Sequence, residues 1–113
     1  MTLNEYQDLA VKTGDYPDMG GNLVYPALGL AGEAGEAVDK VKKLWRNKGK
    51  TKGDQLTPEE RVELVKELGD CLWYVGALAW ELKIDLNTVA ECNIAKLTDR
   101  RHRGVIKSEG DNR

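Results

Sequence analysis

The 113-residue chain has no phenylalanine, one histidine, two cysteines and three prolines, and each shortage closes off a class of chemistry. Cys71 and Cys92 stand apart with no C-x-x-C spacing. That argues against a zinc knot or disulfide framework and predicts two small, reduced side chains in or near the core. His102 lies in the basic stretch 100–103, where a surface position is expected. A ferritin-type di-iron bundle needs two E-x-x-H motifs, and the one histidine has Asp99 rather than glutamate at that spacing. No run of about 18 apolar residues is present, and the first residues lack the basic start and apolar stretch of a signal peptide, so a soluble, cytoplasmic protein with no membrane partner is expected. Seventeen Lys and Arg against 19 Asp and Glu leave no broad basic field for a nucleic-acid polymer and no acidic tail. The chemistry of this chain has to run with almost no imidazole.

What the chain does have is helical periodicity. Thr2 with Glu5 reads as a capping box opening a short amphipathic helix on Leu3, Tyr6, Ala10 and Val11 that ends near Gly14. Residues 15–25, with Pro17 and the Gly20–Gly21 pair, read as a loop. Pro26 suits the first turn of a second helix running to about Arg46. Gly29, Gly32 and Gly35 each cost roughly 1 kcal/mol against Ala in a helix interior, which calls for tight packing or close approach of a helix or ligand. Residues 47–56 (NKGKTKGDQL) read as an exposed, mobile linker whose lysines are candidates to fold over a substrate. Thr57, Pro58 and Glu60 cap a third helix, reaching about Lys83, with a continuous apolar stripe from Val62 through Leu68 and Leu72 to Leu82. Asp85 caps a fourth through Leu97, and residues 103–113 form a polar tail. With no convincing strand, the expected fold is a single all-α domain, an antiparallel bundle of about four helices. Its long open stripe predicts an oligomer that completes the core.

Two acidic pairs dominate the polar positions. Glu33 with Glu36, and Glu67 with Asp70, each lie three residues apart, so each pair aims two carboxylates to one side of its helix. Packing the two apolar stripes together brings both pairs to one rim. Four converging carboxylates repel unless cations neutralise them, and a hard oxygen set of that density suits Mg2+ or Mn2+. The alternative is an ordinary solvated face in which Lys40 or Lys66 pairs with these acids. Lys43 shares the arc of Glu33, Glu36 and Lys40 and joins the candidate substrate-binding residues. Asn93, Lys96 and Arg100 fall on one face of the fourth helix, where basic groups also suit the helix dipole.

The stretch LGLAGEAGEAVDKVKK (28–43), followed by KELGDCLWYVGALA (66–79), resembles the MazG-like family of all-α nucleoside triphosphate pyrophosphohydrolases, whose paired motif is E-x-x-E on one helix and E-x-x-D on the next. NIAKLTDRRHRG (93–104) and the closing GDNR (110–113) are also similar to small members. The resemblance implies Glu33, Glu36, Glu67 and Asp70 as Mg2+ ligands and catalytic residues. It implies hydrolysis of a (d)NTP to the monophosphate and pyrophosphate, and a homodimer or homotetramer. It also implies nucleotide contacts at Asn93, Lys96 and the aromatic position Tyr74, while Arg100 follows by geometry alone. Tyr6, Trp45 and Trp73 are further candidates to meet a base, and Glu63, one turn before Glu67, is a candidate proton acceptor. The sequence also admits two alternatives: the sister reaction on phosphoribosyl-ATP, and a non-catalytic helical module that binds a partner through its apolar stripe.

Overall fold

The caps seen in the sequence set the helix starts. In the computed structural model, which describes residues 1–113, α1 spans Leu3–Val11, α2 Val24–Lys48, α3 Pro58–Glu81 and α4 Leu86–His102, with no strand. Thr57 Oγ1 accepts from the Glu60 N–H at 3.1 Å while Thr57 N–H donates to Glu60 Oε1 at 2.9 Å, a complete capping box. At Thr2 only the first half forms, from the Glu5 N–H. Asp85 caps α4 through the Thr88 N–H at 2.7 Å. The start of α2, two residues ahead of Pro26, is capped by Asn22, whose Oδ1 accepts from the Val24 and Tyr25 N–H groups. Gly49 ends α2 in the left-handed conformation, at φ 65°.

Contacts between α2 and α3 run in opposite chain directions. Gly29 meets Tyr74, Lys40 meets Glu67, and Lys48 meets Glu60, so the two long helices form an antiparallel hairpin. Helix α1 packs on α3, and α4 crosses both α1 and α3. Buried Gln7 fixes that corner: its Nε2 donates to the Gly76 and Ile84 carbonyls at 3.1 Å each, and its Oε1 accepts from the Leu86 N–H at 3.0 Å. Glu81 holds the 12–23 connection. Its carboxylate accepts from Tyr16 Oη at 2.8 Å and from the Gly20 and Asn22 N–H groups at 2.9 and 3.2 Å.

Only 10 of 113 residues are buried, among them Ala10, Tyr16, Ala77, Ala79 and Leu86, so the core sits where α1, α3 and α4 meet. The α2–α3 stripe is open. Val65, Leu68 and Trp45 are 65, 62 and 63% exposed, and a groove of about 650 Å3 between the helices is lined by Val38, Val41, Trp45, Leu64 and Leu68.

Three expectations need correction. Cys92 is exposed rather than near the core, and Cys71 is half-buried. The 47–56 linker is not free: it carries a 3-10 turn at Gly53–Gln55, Lys48 and Lys50 are drawn to Glu60 at 2.7 and 2.5 Å, and Arg61 donates to the Gly53 carbonyl. Tight packing explains one helix-two glycine only. A Cβ on Gly29 would overlap the Tyr74 ring, whereas Gly32 and Gly35 have nothing within 4 Å.

Candidate metal centre

Glu33 on α2 and Glu67 and Asp70 on α3 each offer a carboxylate oxygen, and these oxygens lie within 4.8 Å of one another. The three-residue step from Glu67 to Asp70 turns both toward α2, and the antiparallel hairpin brings Glu33 opposite them. Glu67 is 7% exposed. Its Oε1 is held by Lys40 Nζ at 2.6 Å. Its Oε2 is buried with no hydrogen-bond partner, as is Glu33 Oε2. Two buried carboxylate oxygens without donors are costly. Burial first, then the charges of Glu36 and Asp70, push the Glu33 carboxyl above the usual carboxylate range. Glu36 stands beside Glu33 on the exposed side and is not among the three converging groups.

The surroundings are aromatic. A depression of about 310 Å3 is lined by Thr13, Glu33, Asp70, Trp73 and Tyr74. Tyr74 packs on the Gly29 backbone, and its hydroxyl is raised by burial first and by Tyr25 next. Trp73 stands edge-on to Tyr74 at 5.0 Å and donates through Nε1 to Thr13 Oγ1 at 2.8 Å and the Ala10 carbonyl at 3.2 Å. Tyr25 lies 6.5 Å from Tyr74 and stacks on Tyr16 at 4.9 Å. Burial and then Asp70 raise the Tyr6 hydroxyl, which puts α1 within electrostatic reach of the acids. Thr13, Tyr16 and Tyr25 are missing from the sequence reading. They lie in or beside loops, where periodicity says nothing, and only Tyr25 carried a signal, one helical turn before Gly29.

The other candidates are placed differently. Lys43 is paired with Asp39 at 2.7 Å, and with Lys40 and Asn47 it borders a separate cavity of about 250 Å3. Glu63 is engaged by Lys66 at 3.0 Å and Lys40 at 3.2 Å, which hold its carboxyl below the usual range. Trp45 lies on the open apolar groove, away from the acids. Asn93 and Lys96 are exposed on α4, and no α4 residue lines the acidic depression. Arg100 is 4% exposed beneath the 103–113 segment, donating to the Asp111 carbonyl at 2.5 Å and to its carboxylate at 3.3 Å. In this chain it is a tie for the C-terminal segment. Arg113 donates back to the carbonyls of Val105 and Ile106, so the tail is folded rather than trailing.

A family model for the MazG nucleotide pyrophosphohydrolase domain matches residues 26–105, which take in both acidic pairs and the whole of α3 and α4. The chain belongs to this family. A similar curated relative is the Gene 37 protein of Mycobacterium phage L5, 44% identical over 118 aligned positions that span both chains completely. No solved structure matches significantly. The three converging carboxylates fall within the matched segment, as do Tyr74, Asn93 and Lys96. The MazG resemblance drawn from the paired acidic motifs therefore holds, and so does the all-α, four-helix architecture. No helix is long and apolar enough to cross a membrane.

Proposed function

We propose that this MazG-family chain is a divalent-metal-dependent pyrophosphohydrolase that cleaves a (d)NTP to the monophosphate and pyrophosphate. One observation carries the reading: Glu33, Glu67 and Asp70 converge within 4.8 Å while the Oε2 atoms of Glu33 and Glu67 are buried and undonated. Such a site fits a hard cation, with Mg2+ the first choice and Mn2+ a substitute. Glu36 is the fourth ligand of the set, available from the exposed side of Glu33. A cation held there supplies Lewis acidity and neutralises phosphate charge.

The chain's own groups do the rest. Tyr74 and Trp73 form the wall nearest the acids and offer a surface for a base. The Tyr6 hydroxyl is the neutral donor on the α1 side, since the Thr13 hydroxyl already donates to the Ala10 carbonyl at 2.7 Å. Asn93 and Lys96, with Lys43, serve the phosphates, and Arg100 acts by holding the C-terminal segment. Because no α4 residue lines the acidic depression of the same chain, Asn93 and Lys96 take part through assembly, and the open α2–α3 face is covered by a second copy in a homodimer or homotetramer. The enzyme works in the cytoplasm.

The decisive experiment is pyrophosphate release from a panel of canonical, deoxy and modified NTPs, and from phosphoribosyl-ATP, with and without Mg2+. Mg2+-dependent release with the monophosphate as co-product is expected. Absence of release from every substrate would overturn the reading.

A further inference from the structure

We infer that Lys40 is a positioning residue for Glu67: its ammonium holds one carboxylate oxygen so that the other faces the cation site. The inference rests on the reading of Glu33, Glu67 and Asp70 as that site. Lys40 reaches from α2 across to α3, placing Nζ 2.6 Å from Glu67 Oε1 and 3.2 Å from Glu63 Oε2. Glu63 is in turn held by Lys66 at 3.0 Å. The result is an ordered line of alternating charge, Lys66–Glu63–Lys40–Glu67, lying along the surface and ending at the buried acid. Glu67 Oε2 has no donor of its own, so the two oxygens of one carboxylate have different assignments: one is bound to the lysine, the other is turned inward.

A lysine beside a cation site has two opposite possible effects. As a bare positive charge it repels the incoming metal, and removing it tightens binding. As an outer partner it fixes the ligand's rotamer and desolvated position, and removing it weakens binding by about 10- to 100-fold, the range for outer-shell partners of metal ligands. The geometry points to the second. Lys40 is bonded to the acid at charge-assisted distance, it is anchored from the far side by Glu63, and the oxygen it occupies is not the undonated one. No third residue performs this task, since Glu67 has no other ion-pair partner.

The test is Mn2+ binding by titration calorimetry, without nucleotide, to wild type, Lys40→Met, Lys40→Gln and Lys40→Arg, with circular dichroism and melting in chelator to establish folding. Lys40→Met and Lys40→Gln are expected to bind Mn2+ about 10- to 100-fold more weakly than wild type despite losing a positive charge. Lys40→Arg is expected to retain affinity within about threefold, because it keeps the charge-assisted contact. Should Lys40→Met fail to fold, Lys40→Gln, which keeps a polar head at this half-exposed position, carries the same expectation. Equal or tighter Mn2+ binding by the folded neutral variants overturns the inference while leaving the cation site standing, and so does Lys40→Arg falling as far as Lys40→Met. Absence of Mn2+ binding by wild type overturns the cation reading itself, and the inference with it.

Discussion

The ring of Tyr74 on α3 lies against the backbone of Gly29 on α2, in space that any side chain at position 29 would occupy. The same ring lines the depression beside Glu33 and Asp70. Gly29→Ala is expected to displace Tyr74, destabilise the fold by about 1–3 kcal/mol as overpacking does, and lower nucleotide turnover. Gly32→Ala, with open space around it, is expected to raise stability by up to about 1 kcal/mol through helix propensity. Paired denaturant titrations of the two variants test the contrast.

Glu33 carries a carboxyl raised by burial and by its acidic neighbours, so its ionised form opposes the metal-free fold. Glu33→Gln is expected to melt higher than wild type in chelator and to lose the rise in melting temperature that Mg2+ gives wild type. Asp70→Asn and Glu67→Gln are each expected to reduce Mg2+-dependent turnover by more than about 100-fold, exceeding the usual loss from an outer-shell partner. Melting curves with and without Mg2+, beside pyrophosphate release, separate the two effects.

Four helices and both acidic pairs were legible because their signals are local: a cap at Thr57 or Asp85, and a three-residue carboxylate step. What stayed hidden depends on contacts across long stretches of chain. Nothing in NKGKTKGDQL says that Lys48 and Lys50 meet Glu60, or that Arg100 lies under Asp111. Nor does periodicity reveal that Thr13, from beyond the end of α1, joins the acidic depression. The step from motif to cluster is also partial: Glu36 shares a helix face with Glu33 yet stays exposed and outside the converging three, although the same three-residue step brings both Glu67 and Asp70 into it, so spacing along one helix does not decide which carboxylates meet across two.

Glu60 supplies an acid-side test of the linker. Lys48 and then Lys50, with the Thr57 N–H, lower its carboxyl to about 2. A carboxyl depressed on folding adds stability that is fully present above its unfolded value and fades as pH falls toward the folded one. Between about pH 4.5 and pH 2 wild type is therefore expected to lose stability that Glu60→Gln never has, so the gap between the two narrows on acidification. Urea midpoints at pH 5, 4 and 3 measure this.

Glu81 gathers three donors from the connection before α2. The N–H bonds from Gly20 and Asn22 outweigh the effect of its burial and keep its carboxyl low, and Tyr16, pushed up to about 12 by burial and then Glu81, stays protonated. Tyr16→Phe is expected to cost about 1.5–3 kcal/mol, the range for a hydrogen bond to a charged group, and Glu81→Ala more. Both should leave the helix content of the far-ultraviolet spectrum nearly intact.

The open α2–α3 face gives the assembly test. Val65→Glu with Leu68→Glu places two charges on the exposed stripe, and the double variant is expected to shift light scattering from an assembly to a single chain. A wild-type chain that runs as a monomer at all concentrations would remove the second copy from the proposal.

Gln7 draws its partners from Gly76, Ile84 and Leu86, and this has a consequence for how the protein is made. Helix α1 leaves the ribosome before α3 and α4, yet every hydrogen bond of its buried amide waits for chain synthesised on the order of ten seconds later. The hairpin of α2 and α3 can close as it emerges, and the Gln7 amide has its full set of partners only once the start of α4 is free to act as the clasp of the corner.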